Sequence, residues 1–248
     1  TNVDLVGYAE SDDGIEWKKP RLGLVDYGGT DNNLVNLKGH PPTLFVDPDA
    51  PPSHRYRATV CTGPSHQGAE RRLTKYGYYT AHSADGLSWE YDQDVPQWDG
   101  ADLMNCVYPP VQRRAIVALK YIHRFQGIPR RLIWNAEFKN GQWSDAHMAL
   151  MPDDYDNIRA MTNGFASADY YGMGMMAAGT GTVGFIWQFR HSLPRTAGED
   201  GFEGLKFRAP HGNGIGVFGV VDVTLVYQNM PEDCWLHMPG RPDFISHT

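Results

Sequence analysis

The sequence predicts an all-β protein with the repeated four-stranded units of a β-propeller. Glycine (27 residues) and proline (17 residues) punctuate the whole chain of 248 residues, and short runs rich in Val, Ile, Tyr, Phe and Trp lie between them. This pattern is typical of many short strands joined by turns. Apolar stripes at helical spacing are scarce. A turn motif that ends in tryptophan also recurs along the chain.

The expected strands follow from composition and alternation. They are residues 3–9, 43–46, 56–61, 77–82, 105–108, 115–121, 131–136, 170–177, 182–189 and 220–227. One helix of one or two turns is expected at residues 153–161, where the apolar residues do not form a continuous stripe.

The clearest repeat reads S-x-D-G-[I/L]-x-W. It begins at Ser11 and again at Ser83, which lies 72 residues later. Asp and Gly suit a tight turn, and the tryptophan folds back over the apolar face of the hairpin. Weaker copies end at Trp143 and Trp235. These four units predict blades of one propeller domain over residues 1–248. A β-sandwich with coincidental Asp-Gly turns is the alternative.

Charge and cysteine content exclude several classes. The net charge of -7 works against nucleic acid as a partner, because such partners require a positive surface. No apolar run reaches the roughly 18 to 20 residues of a membrane helix. Cys61 and Cys106 lie in apolar, strand-like segments and are interpreted as small core residues. The absence of a C-x-x-C pair argues against a structural zinc site.

Several segments together carry a family resemblance. Residues 8–20 (YAESDDGIEWKKP), the later D-N-N at 31–33, and the loop V-D-P-D-A-P-P at 46–52 before R-Y-R-A resemble the five-bladed propeller glycosidases and glycosidase-like proteins. This group contains arabinanases, xylosidases and invertases. Residues 168–173 and 221–227 complete the likeness. The resemblance implies a glycoside hydrolase of carbohydrate metabolism and polysaccharide degradation, acting on an oligosaccharide or polysaccharide, in a secreted or periplasmic location.

The length is short for the five blades that the resemblance implies. At roughly 60 to 70 residues per blade, the chain supplies about three and a half to four blades. We therefore expect either that the sequence is part of a longer chain or that the ring closes with fewer blades.

Three carboxylates are the candidate catalytic residues. Propellers place sites where the first strand of each unit begins, and Asp31, Asp102 and Asp169 precede or open such strands. Cleavage of a glycosidic bond requires one carboxylic acid to protonate the leaving oxygen and a second carboxylate as nucleophile or base. The resemblance implies a third carboxylate that orients the sugar. The order of these roles stays open.

Polar and aromatic residues near these positions are expected to bind the sugar. They are Asn32, Asn33, His40, Arg57, Asn105, Tyr171, Trp187 and Asp222.

Neither a required cofactor nor a metal ligand is predicted. A calcium ion in the channel is the one metal considered, because aspartates cluster at 12–13, 47–49 and 153–156, but none of these clusters has the spacing of a calcium loop.

Two other functions stay open. A propeller that binds carbohydrate without cleaving it would use the same aromatic residues. A sialidase-like enzyme would need a cluster of arginines and a tyrosine nucleophile, for which Arg57, Arg159 and Arg208 are isolated candidates.

Overall fold

Antiparallel β-sheet dominates the chain, which confirms the all-β class. The structure is a computed structural model and describes residues 4–64, 73–100, 102–125, 128–165, 167–191, 219–230 and 233–245. Within these ranges no sheet closes on itself, so the propeller and its five-bladed ring stay predictions. The chain divides into two compact units, residues 1–106 and 107–248. The single domain over residues 1–248 stays a prediction.

The first unit contains a small sheet and a four-stranded meander. Its strands are β1 (Leu5–Gly7), β2 (Leu34–Lys38), β3 (His40–Val46), β4 (Tyr56–Thr62), β5 (Gly77–Ser83) and β6 (Glu90–Tyr91). Strand β1 pairs with β2, and the second sheet has the order β3-β4-β5-β6. A turn of 3-10 helix, Pro52–His54, lies between β3 and β4. Every neighbour in the second sheet is also a neighbour in sequence, as in a propeller blade.

The later sheets repeat this order. Their strands are β7 (Met104–Val107), β8 (Ala115–Phe125), β9 (Ile128–Lys139), β10 (Gln142–Trp143), β11 (His147–Leu150), β12 (Ser167–Ala178), β13 (Gly181–His191), β14 (Gly219–Gln228), β15 (Leu236–His237) and β16 (Asp243–Ile245). One sheet has the order β10-β9-β8-β7, with β11 also paired to β9, and the other has the order β12-β13-β14-β15, with β16 paired to β14. All the strand segments predicted from sequence overlap observed strands.

The helix α1 (Asp154–Thr162) forms where a short helix was expected. It begins with a capping box. The Asp153 side chain accepts a hydrogen bond from the Asp156 backbone N–H (3.2 Å), and the Asp156 side chain accepts one from the Asp153 N–H (3.1 Å). These bonds satisfy N–H groups that the first turn of a helix leaves unpaired.

The two copies of the S-x-D-G turn have the same internal hydrogen bonds. The serine hydroxyl accepts from the glycine N–H at 2.8 Å in the first copy and 2.9 Å in the second. One aspartate oxygen accepts two later backbone N–H groups in each copy. These backbone bonds hold the pKa of Asp13 and Asp85 below its usual range, because they favour the carboxylate. The glycines have φ of 76° and 78°, which a tight turn requires.

The two tryptophans that end these turns differ in burial. Trp89 is 5% exposed and packs in the core with Leu37 and Val60, whereas Trp17 is 60% exposed. The Asn36 amide of β2 also holds the Trp89 backbone, accepting from its N–H (2.7 Å) and donating to its carbonyl oxygen (3.0 Å). In the second copy of the turn, strand β2 therefore packs against the tryptophan and holds its backbone.

We predict that Trp89→Ala lowers the free energy of unfolding by about 3 to 5 kcal/mol, because it leaves a cavity in a packed core. Trp17→Ala is the matched control and is expected to change it by less than about 0.5 kcal/mol. Urea unfolding followed by circular dichroism measures both. Equal losses in the two variants would contradict this packing.

Candidate functional site

Two residues predicted from sequence meet in the first unit. His40 opens β3 and Asp102 precedes β7, and His40 Nε2 lies 3.8 Å from Asp102 Oδ1. A hydrogen bond links the two strands, which belong to different sheets: the Thr43 hydroxyl accepts from the Cys106 backbone N–H (2.9 Å). His40 is exposed and Asp102 partly so, which leaves both side chains accessible to a ligand.

A glycine is needed to seat His40. Gly39 has φ of 128°, and a Cβ atom there would lie 2.5 Å from the Cys61 carbonyl oxygen. Any other residue would have to displace β4 backbone, so the glycine allows β3 to begin where it does.

The backbone of Asp102 has an unusual conformation. Its φ is 89°, in a region that residues other than glycine rarely adopt. The Asp102 N–H donates to Cys61 Sγ at 3.2 Å. Such strain costs on the order of 1 to 3 kcal/mol and is found most often at functional sites. It therefore supports a functional role for Asp102.

Tyr76 and Asp4 join this group, although the sequence did not single them out. The pKa of Tyr76 is raised, first by burial, then by its hydrogen bond with Cys61, and also by the negative charges of Asp102 and Asp4. The Tyr76 hydroxyl thus stays protonated, with its proton directed to Cys61. Tyr76 directly precedes the predicted strand 77–82, as His40 precedes residues 43–46, and this position was the one available signal.

The segment Asp31 to Asn33 organises a loop. Asp31 forms an exposed ion pair with Arg21 (2.9 Å). The Asn32 amide donates to two carbonyl oxygens of the same loop, at 2.9 and 2.8 Å. The Asn33 amide donates to the Tyr8 carbonyl oxygen (2.6 Å). Catalysis by Asp31 and sugar binding by Asn32 and Asn33 stay predictions, and in the structure the amides bond to backbone.

Arg57 and Asn105 lie on strands of the first unit. Arg57 on β4 is largely buried, with Nε 3.8 Å from Asp47 Oδ2, and Asp47 also accepts a hydrogen bond from the Asp49 N–H (3.1 Å). Arg57 therefore anchors the D-P-D-A-P-P loop. Asn105 is partly buried on β7. Sugar binding by either residue stays a prediction.

Asp169, on β12 in the second unit, is fully buried beside two arginines and a histidine. Its carboxylate lies 2.9 Å from Arg130 Nε, 3.2 Å from Arg131 Nη1 and 3.5 Å from His191 Nε2. Burial alone raises the pKa of Asp169, but hydrogen bonds and charge from His191 and Arg130 outweigh it and hold the pKa below its usual range. Asp169 is therefore a carboxylate at neutral pH and not a proton donor.

Aromatic side chains adjoin this ion pair. Lys120 Nζ lies 4.8 Å and Arg131 Cζ 5.4 Å from the centre of the Tyr171 ring. The Tyr171 and Phe189 rings are 5.9 Å apart. Trp187 on β13 is partly exposed, opposite Gly172 in the strand register. Of the predicted residues of this unit, the structure thus brings Asp169 and Tyr171 together through Arg131.

Asp222 and the aspartate clusters have structural partners. Asp222 is buried and lies 3.0 Å from Arg190 Nη2. Asp153 pairs with Arg241 at 2.6 Å, in addition to capping α1. Within the described ranges, no group of three or more His, Cys, Asp or Glu side chains is placed to hold a metal ion. The same part of the chain contains no helix long and apolar enough to cross a membrane.

Comparisons with known proteins add little. No family model and no curated protein matches this chain. Among solved structures, it is similar to an N-acetylgalactosamine deacetylase from F. plautii, crystallised in complex with blood group B trisaccharide. That match has 10% sequence identity and a TM-score of 0.31, and it covers 98% of this chain and 76% of that chain. At this TM-score the likeness does not establish a shared fold.

We predict that Asp169→Asn lowers the free energy of unfolding at pH 7 by about 3 to 5 kcal/mol, because it leaves buried cations without their carboxylate. A folded-state pKa below the usual value gives a contribution that is complete above the unfolded pKa and is lost as pH falls through the folded pKa. Urea unfolding between pH 7 and pH 3 should therefore show a gap between wild type and variant that narrows in acid. A gap independent of pH would contradict this role.

Proposed function

We propose that this chain is a glycoside hydrolase whose catalytic carboxylate is Asp102, in a site with His40, Tyr76 and Asp4. One observation carries the proposal: Asp102 and His40, at the beginnings of two strands, come within 3.8 Å of each other on an accessible surface. The strained backbone of Asp102 and the neighbouring Tyr76 hydroxyl support it. The oligosaccharide or polysaccharide substrate and the secreted or periplasmic location belong to the same proposal.

The roles follow from the chemistry of each group. Glycosidic bonds are cleaved by a pair of carboxyl groups, and the charges of Asp102 and Asp4 both act on Tyr76. Asp102 is the stronger candidate for proton transfer, since His40 lies beside it. Tyr76 keeps its proton, and its hydroxyl oxygen can accept a hydrogen bond from a sugar hydroxyl.

The sialidase-like alternative has less support at this site. A tyrosine nucleophile has to lose its proton readily, and the raised pKa of Tyr76 opposes that.

Carbohydrate binding without cleavage is the second candidate. Asp31 and Asp169 are already engaged in ion pairs, so Asp102 is the one predicted catalytic carboxylate that faces a histidine on an accessible surface. Cleavage of a glycosidic bond requires two carboxyl groups, and this observation therefore favours binding without cleavage.

We predict that Asp102→Asn lowers kcat on a cleaved aryl glycoside by about 10²- to 10⁴-fold, the range for loss of a general acid or base. The assay screens a panel of aryl glycosides and polysaccharides and measures released phenol or reducing ends. Tyr76→Phe is expected to give a smaller loss, because it removes one hydrogen bond.

Asp12→Asn is the matched control, because it changes an exposed carboxylate of the same unit to the same amide, and it should retain the activity. Activity that survives Asp102→Asn in a folded protein would overturn the assignment. Glycan binding without any cleavage by the wild type would favour the second candidate.

A further inference from the structure

Two adjacent arginines in the second unit share one carboxylate. Arg130 and Arg131 on β9 both contact Asp169. Among the described residues, Arg131 forms one side-chain hydrogen bond, from Nη1, and its buried Nε has no acceptor. A buried donor without an acceptor costs about 1 to 3 kcal/mol. The buried Nε is out of reach of a ligand, but among the described residues Nη2 donates no hydrogen bond either, and the side chain is partly accessible, with 12% exposed.

The same guanidinium lies against aromatic rings. Arg131 Cζ is 5.4 Å from the centre of the Tyr171 ring and 5.4 Å from that of Phe189. Lys120 brings another positive charge to the Tyr171 ring. These contacts hold the cations at one edge of an aromatic surface.

Trp187 extends that surface. It lies two residues before Phe189 on β13, so both side chains project from the same face of the sheet, about 7 Å apart. Gly172 opposite Trp187 has no side chain to cover the ring. A flat, partly exposed ring of this kind can stack on the apolar face of a sugar.

Arginine binds carboxylates through two parallel N–H groups, which a neutral hydroxyl cannot match. Phe189 lies about 7 Å from Trp187 along β13, and Arg131 Cζ lies 5.4 Å from its ring centre. An acidic oligosaccharide stacked on Trp187 and extending along the strand would therefore bring a carboxylate toward Arg131.

We infer that the second unit binds carbohydrate whose sugar units bear carboxylates, with Trp187 stacking on the ring, Arg131 binding the acid group and the buried Lys120 adding positive charge beside it. This inference is independent of hydrolysis at Asp102, since it concerns residues of the second unit alone.

The test compares trigalacturonic acid with its methyl ester, which has the same sugar chain without the charge. Isothermal titration calorimetry on the full chain should show at least tenfold tighter binding of the acid, weakening as salt is added. Arg131→Gln should reduce the affinity for the acid at least tenfold, and Arg131→Lys should restore part of it. Trp187→Ala should weaken binding of both compounds.

Arg55→Gln is the matched control. Arg55 is exposed and lies over the Tyr56 ring at 5.5 Å, so the variant removes the same charge and the same kind of contact elsewhere. It should leave the affinity unchanged.

Equal affinity for acid and ester, or unchanged affinity in a folded Arg131→Gln variant, would overturn the inference. If that variant does not fold, Lys120→Met takes its place, with the same tenfold loss expected. Displacement of the acid by an equal concentration of inorganic sulfate would overturn the sugar assignment. The Asp102→Asn variant should bind trigalacturonic acid as tightly as the wild type does, which distinguishes this inference from the proposed hydrolysis.

Discussion

The meander of the first unit depends on a turn that returns its tryptophan to the sheet. In the second copy of the turn, Asp85 accepts two backbone N–H groups that the short loop could not pair otherwise, and the Trp89 indole N–H donates to the Gly86 carbonyl oxygen. The following strand, β6, has two residues, so its own ladder bonds could not position it. The turn and the buried Trp89 therefore determine where the last strand lies.

The packed core in turn supports strain near the candidate site. Asp102 keeps a left-handed backbone conformation while the residues that follow it are anchored to the first unit. The Tyr78 hydroxyl donates to the Leu103 carbonyl oxygen (3.2 Å), and Cys106 is bonded to Thr43 on β3. Together with the bond from the Asp102 N–H to Cys61 Sγ, these anchors hold the strained residue, and the carboxyl group of Asp102 remains beside His40.

Composition predicted the longer strands because their pairing depends on β-branched and aromatic residues. It missed β2, whose central Asn36 looks like a loop residue and in fact bonds to Trp89, 53 positions away. It also missed β11 and β16, which have four and three residues. The position before a strand identified His40 and Asp102. The same reasoning could not distinguish Asp31 from Asp102, because the sequence does not show which of two aspartates before a strand lies in an exposed loop.

Burial and partners, rather than residue type, separate Asp102 from Asp169. Asp102 is partly exposed, and His40 Nε2 lies 3.8 Å from its carboxylate. Asp169 is fully buried between two arginines and stays ionised, so it is unsuited to donating a proton. Yet its charge holds Arg131 in one orientation, and a preorganised guanidinium loses less entropy when it binds an anion. The ion pair that removes Asp169 from acid chemistry thus prepares Arg131 for a carboxylate.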